Sequence, residues 1–139
     1  MRFMIIVKAT KESEAGVMPE EKLIAAMGAY HEELGKAGVL LDATGLHPTS
    51  KGFRVKYTGP KRTVVDGPFT ETKELIAGYT LIKVKSKQEA IEWAKRYPNP
   101  RGEGMDSEIE VRQLFELEDF TPSEAIDRMR ELDMSIKNK

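Results

Sequence analysis

The order of apolar patterns along the chain is the feature that most constrains its fold. Residues 3–9 form a nearly continuous apolar run, typical of a strand buried on both faces. A helix is predicted next, from Pro19 to a C-cap at Gly38, because apolar residues recur there at spacings of four, three and four: Leu23, Met27, Tyr30 and Leu34. A second strand is predicted over residues 39–46. The chain therefore opens as strand, helix, strand.

A β-hairpin is predicted after this unit. Residues 53–57 alternate apolar and basic side chains, and residues 62–66 return after a Gly-Pro turn. Gly67-Pro68 ends the hairpin, because proline supplies no donor and bars helical geometry at the residue before it.

The same strand–helix–strand order then repeats. A strand is predicted over residues 76–84, and a capping box at residues 86–89 opens a helix that Pro98 ends. Residues 98–106, rich in Pro and Gly, are predicted to be a mobile loop, and residues 109–117 a last strand. Two such halves predict a ferredoxin-like α+β sandwich with an inserted β-hairpin. Both helices would cover one sheet face, so the opposite apolar face needs a partner. We expect that partner to be a second copy of the chain, which makes the protein a homodimer.

The C-terminal tail reads as a separate amphipathic helix. Residues 121–124 form a capping box with Pro122 at the first helical position, and we therefore divide the chain into a domain at 1–120 and a tail at 121–139. An apolar stripe follows at helical spacing: Ile126, Met129, Leu132 and Ile136. We expect this stripe to pack on the domain or, as an extra clasp, on a second subunit.

Composition excludes several classes of function. The chain has 139 residues, no cysteine, and 22 basic against 23 acidic side chains. Thiol catalysis and thiolate metal sites are excluded, and the balanced charge does not indicate a nucleic-acid partner. No 18-residue apolar run or signal-peptide core is present, so we expect a cytoplasmic protein without a membrane partner.

Common site motifs are absent as well. Neither of the two phosphate-binding patterns, Gly-x-Gly-x-x-Gly and Gly-Lys-Ser/Thr, occurs. The glycines at residues 101–104 follow a predicted helix, whereas a phosphate-binding loop precedes one. His31-Glu32-Glu33-Leu34-Gly35 starts like a zinc-protease helix but has glycine where the second histidine must stand. No nucleophile elbow surrounds any serine. We expect no cofactor and no metal.

His31 is the first candidate site residue. Gly28 and Gly35 stand three residues before it and four after it, so neither same-face neighbour carries a side chain. A glycine inside a helix costs about 1 kcal/mol relative to alanine, which indicates close backbone approach or open space there. His31 is then either an acid–base or ligand-binding group at a pocket edge, or a partly exposed histidine paired with a carboxylate.

Asp66 is the second candidate. It ends a strand at a tight turn, where a carboxylate either bonds its own turn backbone or serves catalysis. Arg54 and His47 are candidates for holding an anionic group, although basic hairpin residues more commonly form a solvated face.

One segment carries a family resemblance. Asp66-Gly67-Pro68-Phe69, with Glu71 and Lys73-Glu74, is followed by Ala77-Gly78-Tyr79 and by residues 89–94, Glu-Ala-Ile-Glu-Trp-Ala. Together with the opening strand and Ser107–Gln113, this pattern resembles the DGPF branch of the YCII-related family over about residues 1–117. The resemblance implies a dimeric, ferredoxin-like α+β barrel in the cytoplasm, often associated with sigma factors, and no settled activity.

The resemblance also implies a His–Asp active-site pair, whose aspartate corresponds to Asp66. Its histidine lies near the start of the first helix in the wider group, so His31 rests on its spacing argument. Two functional hypotheses follow. One is a dimer that binds a small polar molecule in a cavity or acts as a regulatory module; the other is an enzyme in which His31 and Asp66 form an acid–base pair.

Overall fold

The fold is an α+β sandwich, described by a computed structural model over residues 1–138. The strands are β1 (Arg2–Lys8), β2 (Leu40–Gly45), β3 (Phe53–Thr58), β4 (Lys61–Asp66), β5 (Ile76–Lys83) and β6 (Ile109–Gln113). The helices are α1 (Lys11–Glu14), α2 (Glu21–Lys36), α3 (Lys87–Lys95) and α4 (Glu124–Lys137). Two short 3-10 helices lie at Thr49–Lys51 and Leu117–Asp119.

The main sheet has the strand order β2-β5-β1-β6, with every pairing antiparallel. This is the ferredoxin-like order, in which two strand–helix–strand units interleave their strands. β3 and β4 pair only with each other among the described strands, as a hairpin inserted between the two units. The predicted fold class is therefore confirmed.

The core lies between the sheet and the helices. Phe3 and Ile82 are register partners, so their side chains share one sheet face, and both are buried. Tyr30 and Leu34 of α2 and Ala90 of α3 belong to the same buried cluster. Both long helices of the domain therefore pack on one face, as predicted.

The opposite sheet face carries a second row of apolar side chains. Ile6 pairs with Tyr79, and Met4 pairs with Leu81, so these four side chains point away from the helices. Ile6 is buried and the other three are half-buried. An ion pair at 3.1 Å between Lys8 and Glu110 lies at one end of this row.

The structure corrects two local predictions and adds one helix that was not predicted. β6 ends at Gln113 rather than at residue 117, because the following residues turn into the 3-10 helix, where Asp119 accepts from the Glu116 N–H at 2.8 Å. α4 begins at Glu124 with Ser123 as its N-cap, so Pro122 precedes the helix instead of opening it. The polar segment after β1 contains the unpredicted helix α1.

The loop at residues 98–106 is closed by one side chain. The Asn99 amide donates to the Met105 carbonyl at 2.6 Å, and its oxygen accepts from the Arg101 N–H and the Ser107 hydroxyl. Over residues 1–138, no helix combines the length and the apolar character needed to cross a membrane.

Candidate functional site

His31 is held by both of its ring nitrogens. Nδ1 lies 2.7 Å from the Met27 carbonyl oxygen, one helical turn earlier in α2, and Nε2 lies 2.8 Å from Oγ1 of Thr80 on β5. A carbonyl oxygen only accepts, so Nδ1 carries a proton. In the neutral ring Nε2 then accepts from the Thr80 hydroxyl. The imidazole is fixed in both orientation and tautomer.

Thr80 is the polar partner that the core supplies. Its register partner Ile5 faces the helices, and Thr80 is 1% exposed, the one polar side chain in the buried set of the described residues. A hydroxyl buried there without a partner would cost about 1–3 kcal/mol. The bond to His31 removes that cost, so the threonine and the histidine depend on each other.

Aromatic rings surround this pair. The rings of Tyr30 and Tyr97 meet the His31 ring edge to face, at centroid distances of 5.6 and 6.2 Å. Burial raises the pKa of Tyr30 to about 12, and its hydroxyl donates to the Trp93 carbonyl at 2.7 Å. Burial also raises the pKa of Tyr97, with hydrogen bonding to Thr80 as a smaller, opposing effect. Both phenols are therefore neutral donors near neutral pH.

His31 and Thr80 lie in the wall of a cavity of about 1010 Å³ at one end of the main sheet. Its volume is at the upper end of the range for small-molecule pockets. Apolar groups form much of the lining, including Leu23, Met27 and Ala77. Three basic side chains also reach the lining: Lys8, Lys73 and Arg101. Lys8 is paired with Glu110, whereas Lys73 forms no ion pair among residues 1–138.

The glycines beside His31 leave open space. A Cβ added at Gly28 or at Gly35 would meet no atom within 4 Å outside the helix's own backbone. Of the two explanations for these glycines, close backbone approach does not apply within residues 1–138. The space beside the helix is open.

The other predicted site residues lie outside the cavity lining. Asp66 is exposed at the end of β4, and Arg54 lies over the Phe69 ring with its guanidinium 3.7 Å from the centroid. Arg54 also pairs with Glu71 at 3.4 Å. His47 is exposed in the segment after β2. Because Met27 and Thr80 occupy both ring nitrogens of His31, no direct bond joins His31 to Asp66, and their pairing through water or between subunits stays a prediction.

The turn after Asp66 is stabilised by hydrogen bonds to Thr49 and Gly52, which the sequence did not predict to be its partners. The Phe69 N–H donates to Thr49 Oγ1 at 2.9 Å, and the Gly67 N–H donates to the Gly52 carbonyl at 3.0 Å. The Thr49 hydroxyl and its N–H both donate to the Glu14 carboxylate. The Asp66 carboxylate forms no hydrogen bond within residues 1–138. The turn is thus stabilised by Thr49 and not by the aspartate.

Sequence reasoning also missed Thr80 and Tyr97 as site residues. Tyr97 continues the helical stripe of the preceding helix, but that pattern indicates a core residue. Thr80 lies in an otherwise apolar strand pattern, and a polar residue there is the signal that a partner must face it. Within residues 1–138 no three His, Cys, Asp or Glu side chains are grouped as a metal ion would need.

Comparison with known proteins places the chain in a family. The YCII-related domain matches residues 1–117. The chain belongs to the YCII-related family. An uncharacterized protein of Rhizobium meliloti (strain 1021) is 28% identical to this YCII-related protein over 96 residues, which is 69% of this chain and 77% of the relative. The family domain includes β1 to β6 and ends before α4.

Among solved structures, this YCII-related chain is similar to 5-chloro-2-hydroxyhydroquinone dehydrochlorinase from Burkholderia phenoliruptrix AC1100, in a complex with 2,5-dihydroxybenzoquinone. The sequence identity is 16% and the TM-score 0.46, over 83% of this chain and 94% of the other.

Proposed function

We propose that the cavity beside His31 binds a small polar molecule. The observation that carries this proposal is the fixed imidazole between Met27 and Thr80 in the wall of a largely apolar cavity. Apolar lining with a few oriented polar groups is the usual construction of a small-molecule site. A ligand hydroxyl or N–H group that exchanges with the Thr80 hydroxyl could donate to Nε2 of a ring that is already in place.

A thermal-shift screen with a library of small metabolites tests this proposal. We expect at least one compound to raise the melting temperature of the wild-type protein, because binding to the folded state alone stabilises it. His31→Ala should abolish that shift. His47→Ala is the matched control, since it removes the other histidine, which lies outside the cavity lining. A shift lost in His47→Ala and kept in His31→Ala would contradict the proposed site.

Acid–base catalysis by His31 and Asp66 is the second candidate. It is supported by the Asp66 carboxylate, whose oxygens are not used by the turn backbone: the Gly67 and Phe69 N–H groups donate elsewhere. Asp66→Asn preserves the shape of the side chain and removes its charge. If Asp66 orients or charges His31, Asp66→Asn should lower turnover of a substrate found by the screen and leave its binding largely unchanged. Equal turnover in the two proteins would contradict the pair.

We also propose that the protein is a cytoplasmic homodimer of the DGPF branch. The dimer is supported by the row of Met4, Ile6, Tyr79 and Leu81 on the sheet face away from the helices. A second copy of the same face would cover it in a two-fold arrangement. Light scattering should give twice the chain mass at micromolar concentration. A mass of one chain would contradict it.

The regulatory alternative associated with sigma factors predicts ligand binding without turnover.

A further inference from the structure

Two apolar stripes on the surface remain uncovered in the single chain. The helix stripe consists of Ile126, Met129, Leu132 and Ile136 on α4. Leu132 and Ile136 are each 61% exposed. The hairpin stripe consists of Phe53, Val55 and Tyr57 on β3 with Val64 on β4, which pairs with Val55 and so shares its face. Phe53, Tyr57 and Val64 are 63–66% exposed.

Neither stripe is explained by the fold of one chain. α4 packs on the 3-10 helix at Leu117–Asp119 near its start, where Ile126 is half-buried, and the residues of its later turns are exposed. The hairpin packs mainly on itself. Isolated amphipathic helices and isolated two-stranded hairpins are both marginal in water unless their apolar faces are covered. Each stripe therefore needs a partner.

The segments that contain the two elements carry opposite net charge. Residues 51–66 contain five basic side chains and one acidic side chain. α4 itself contains four acidic and three basic side chains, and residues 116–119 just before it add three acidic side chains. Segments of opposite net charge attract each other over about a Debye length, roughly 8–10 Å, before apolar contact forms.

We propose that α4 of one copy docks on the β3–β4 hairpin of a second copy, helix stripe against hairpin stripe. In a two-fold dimer each copy offers both elements, so the contact forms twice. Seven exposed apolar side chains meet in each contact, because Ile126 is already half-buried on its own chain. If each of the seven loses about 100 Å², which is less than the 150–250 Å² that a fully buried aromatic loses, the two contacts cover about 1,400 Å². That area is about the standard size of a stable interface.

The proposal extends the homodimer proposed above and is separable from it. The row at Met4 and Leu81 lies on the main sheet, whereas both stripes lie outside that sheet. A Met4→Glu variant therefore tests the sheet contact, and variants of α4 or the hairpin test the contact proposed here. If Met4→Glu made the protein monomeric and also prevented a cross-link between α4 and the hairpin of a second copy, the docking would depend on the sheet contact. That result would overturn the docking as an interface of its own.

Disulfide cross-linking is the direct experiment, because the chain has no cysteine of its own. A Leu132→Cys protein and a Val64→Cys protein are mixed, allowed to exchange subunits and oxidised. We expect a disulfide between the two chains. Glu131→Cys is the control on α4, about 150° round the helix from the stripe. Thr63→Cys is the control on the hairpin, on its opposite face. Both controls should cross-link poorly.

The outcomes decide between occupants of the hairpin stripe. A protein that carries both Leu132→Cys and Val64→Cys can also be oxidised at high dilution. If it formed only a disulfide within one chain, α4 would fold back on its own hairpin, and the proposal would be overturned. Absence of any cross-link at concentrations where the protein is dimeric would also overturn it, leaving the stripe for another protein. In support, the double variant Leu132→Asp/Ile136→Asp should weaken self-association by about tenfold or more, as loss of buried interface anchors does. An unchanged dissociation constant would contradict the docking.

Discussion

Nε2 of His31 lies 2.8 Å from Oγ1 of Thr80, and this bond joins the middle of α2 to the buried centre of β5. The Met27 carbonyl fixes the proton on Nδ1, so the ring offers Nε2 to the sheet side. A histidine with one nitrogen bonded to a carbonyl and the other to a hydroxyl is positioned for proton exchange with that hydroxyl or with a group that replaces it. The bond is therefore both a structural contact and the chemical feature of the site.

Replacing Thr80 should reveal how much this bond contributes. Thr80→Val keeps the shape of the side chain and removes the hydroxyl, which leaves Nε2 of His31 without its partner. We expect a loss of about 1–3 kcal/mol in the free energy of unfolding, measured with urea. Thr80→Ser is the matched control and should keep most of the stability, since its hydroxyl can still donate. A Thr80→Val protein as stable as wild type would contradict the interpretation.

Gly28→Ala should stabilise the protein. The helix is exposed at this position, and a Cβ there would meet no atom of residues 1–138 within 4 Å outside the helix's own backbone. Alanine in a helix interior is favoured over glycine by about 0.5–1 kcal/mol, and we expect a gain of that size in urea unfolding. Gly38→Ala is the control: the residue has φ of +74°, a conformation that favours glycine, so the substitution should destabilise. If Gly28→Ala also weakened ligand binding, the open space would belong to the site.

The pKa of Tyr30 predicts how stability changes in alkali. Its folded value is about 12, above the value of about 10 for an unfolded tyrosine. Below pH 10 both states hold the proton; above it the unfolded chain releases the proton first, so the stability that Tyr30 contributes is lost as pH rises through about 12. The difference in unfolding free energy between wild type and Tyr30→Phe should be constant below about pH 10 and shrink above it. A constant difference up to pH 12 would contradict the burial of this phenol.

The periodicity of the sequence was sufficient to predict the fold and the helix that carries His31. The spacing of Leu23 to Leu34 predicted α2 and placed His31 beside its apolar face, because helical geometry follows from local spacing. Thr80 could not be paired with His31 in advance, since that contact depends on how β5 is positioned in the sheet, 49 residues away. The bond that Thr49 donates to Glu14 and the bond that it accepts from Phe69 are also non-local. Local patterns specify elements, and the partners of buried polar groups depend on tertiary packing.

The turn after Asp66 allows a test in which one chemical change is made at two glycines. A Cβ at Gly67 would overlap the Thr49 carbonyl oxygen, whereas a Cβ at Gly52 would lie 3.6 Å from that same oxygen, an ordinary contact. Gly67→Ala must therefore push the turn away from Thr49 and weaken the Phe69 to Thr49 bond. We expect Gly67→Ala to destabilise by about 2 kcal/mol or more, and Gly52→Ala to change stability by less than about 1 kcal/mol. Thermal unfolding of the two variants beside wild type measures both effects. If they were equally stable, the close approach of Gly67 to Thr49 would not be what holds this turn, and the glycine would need a functional explanation instead.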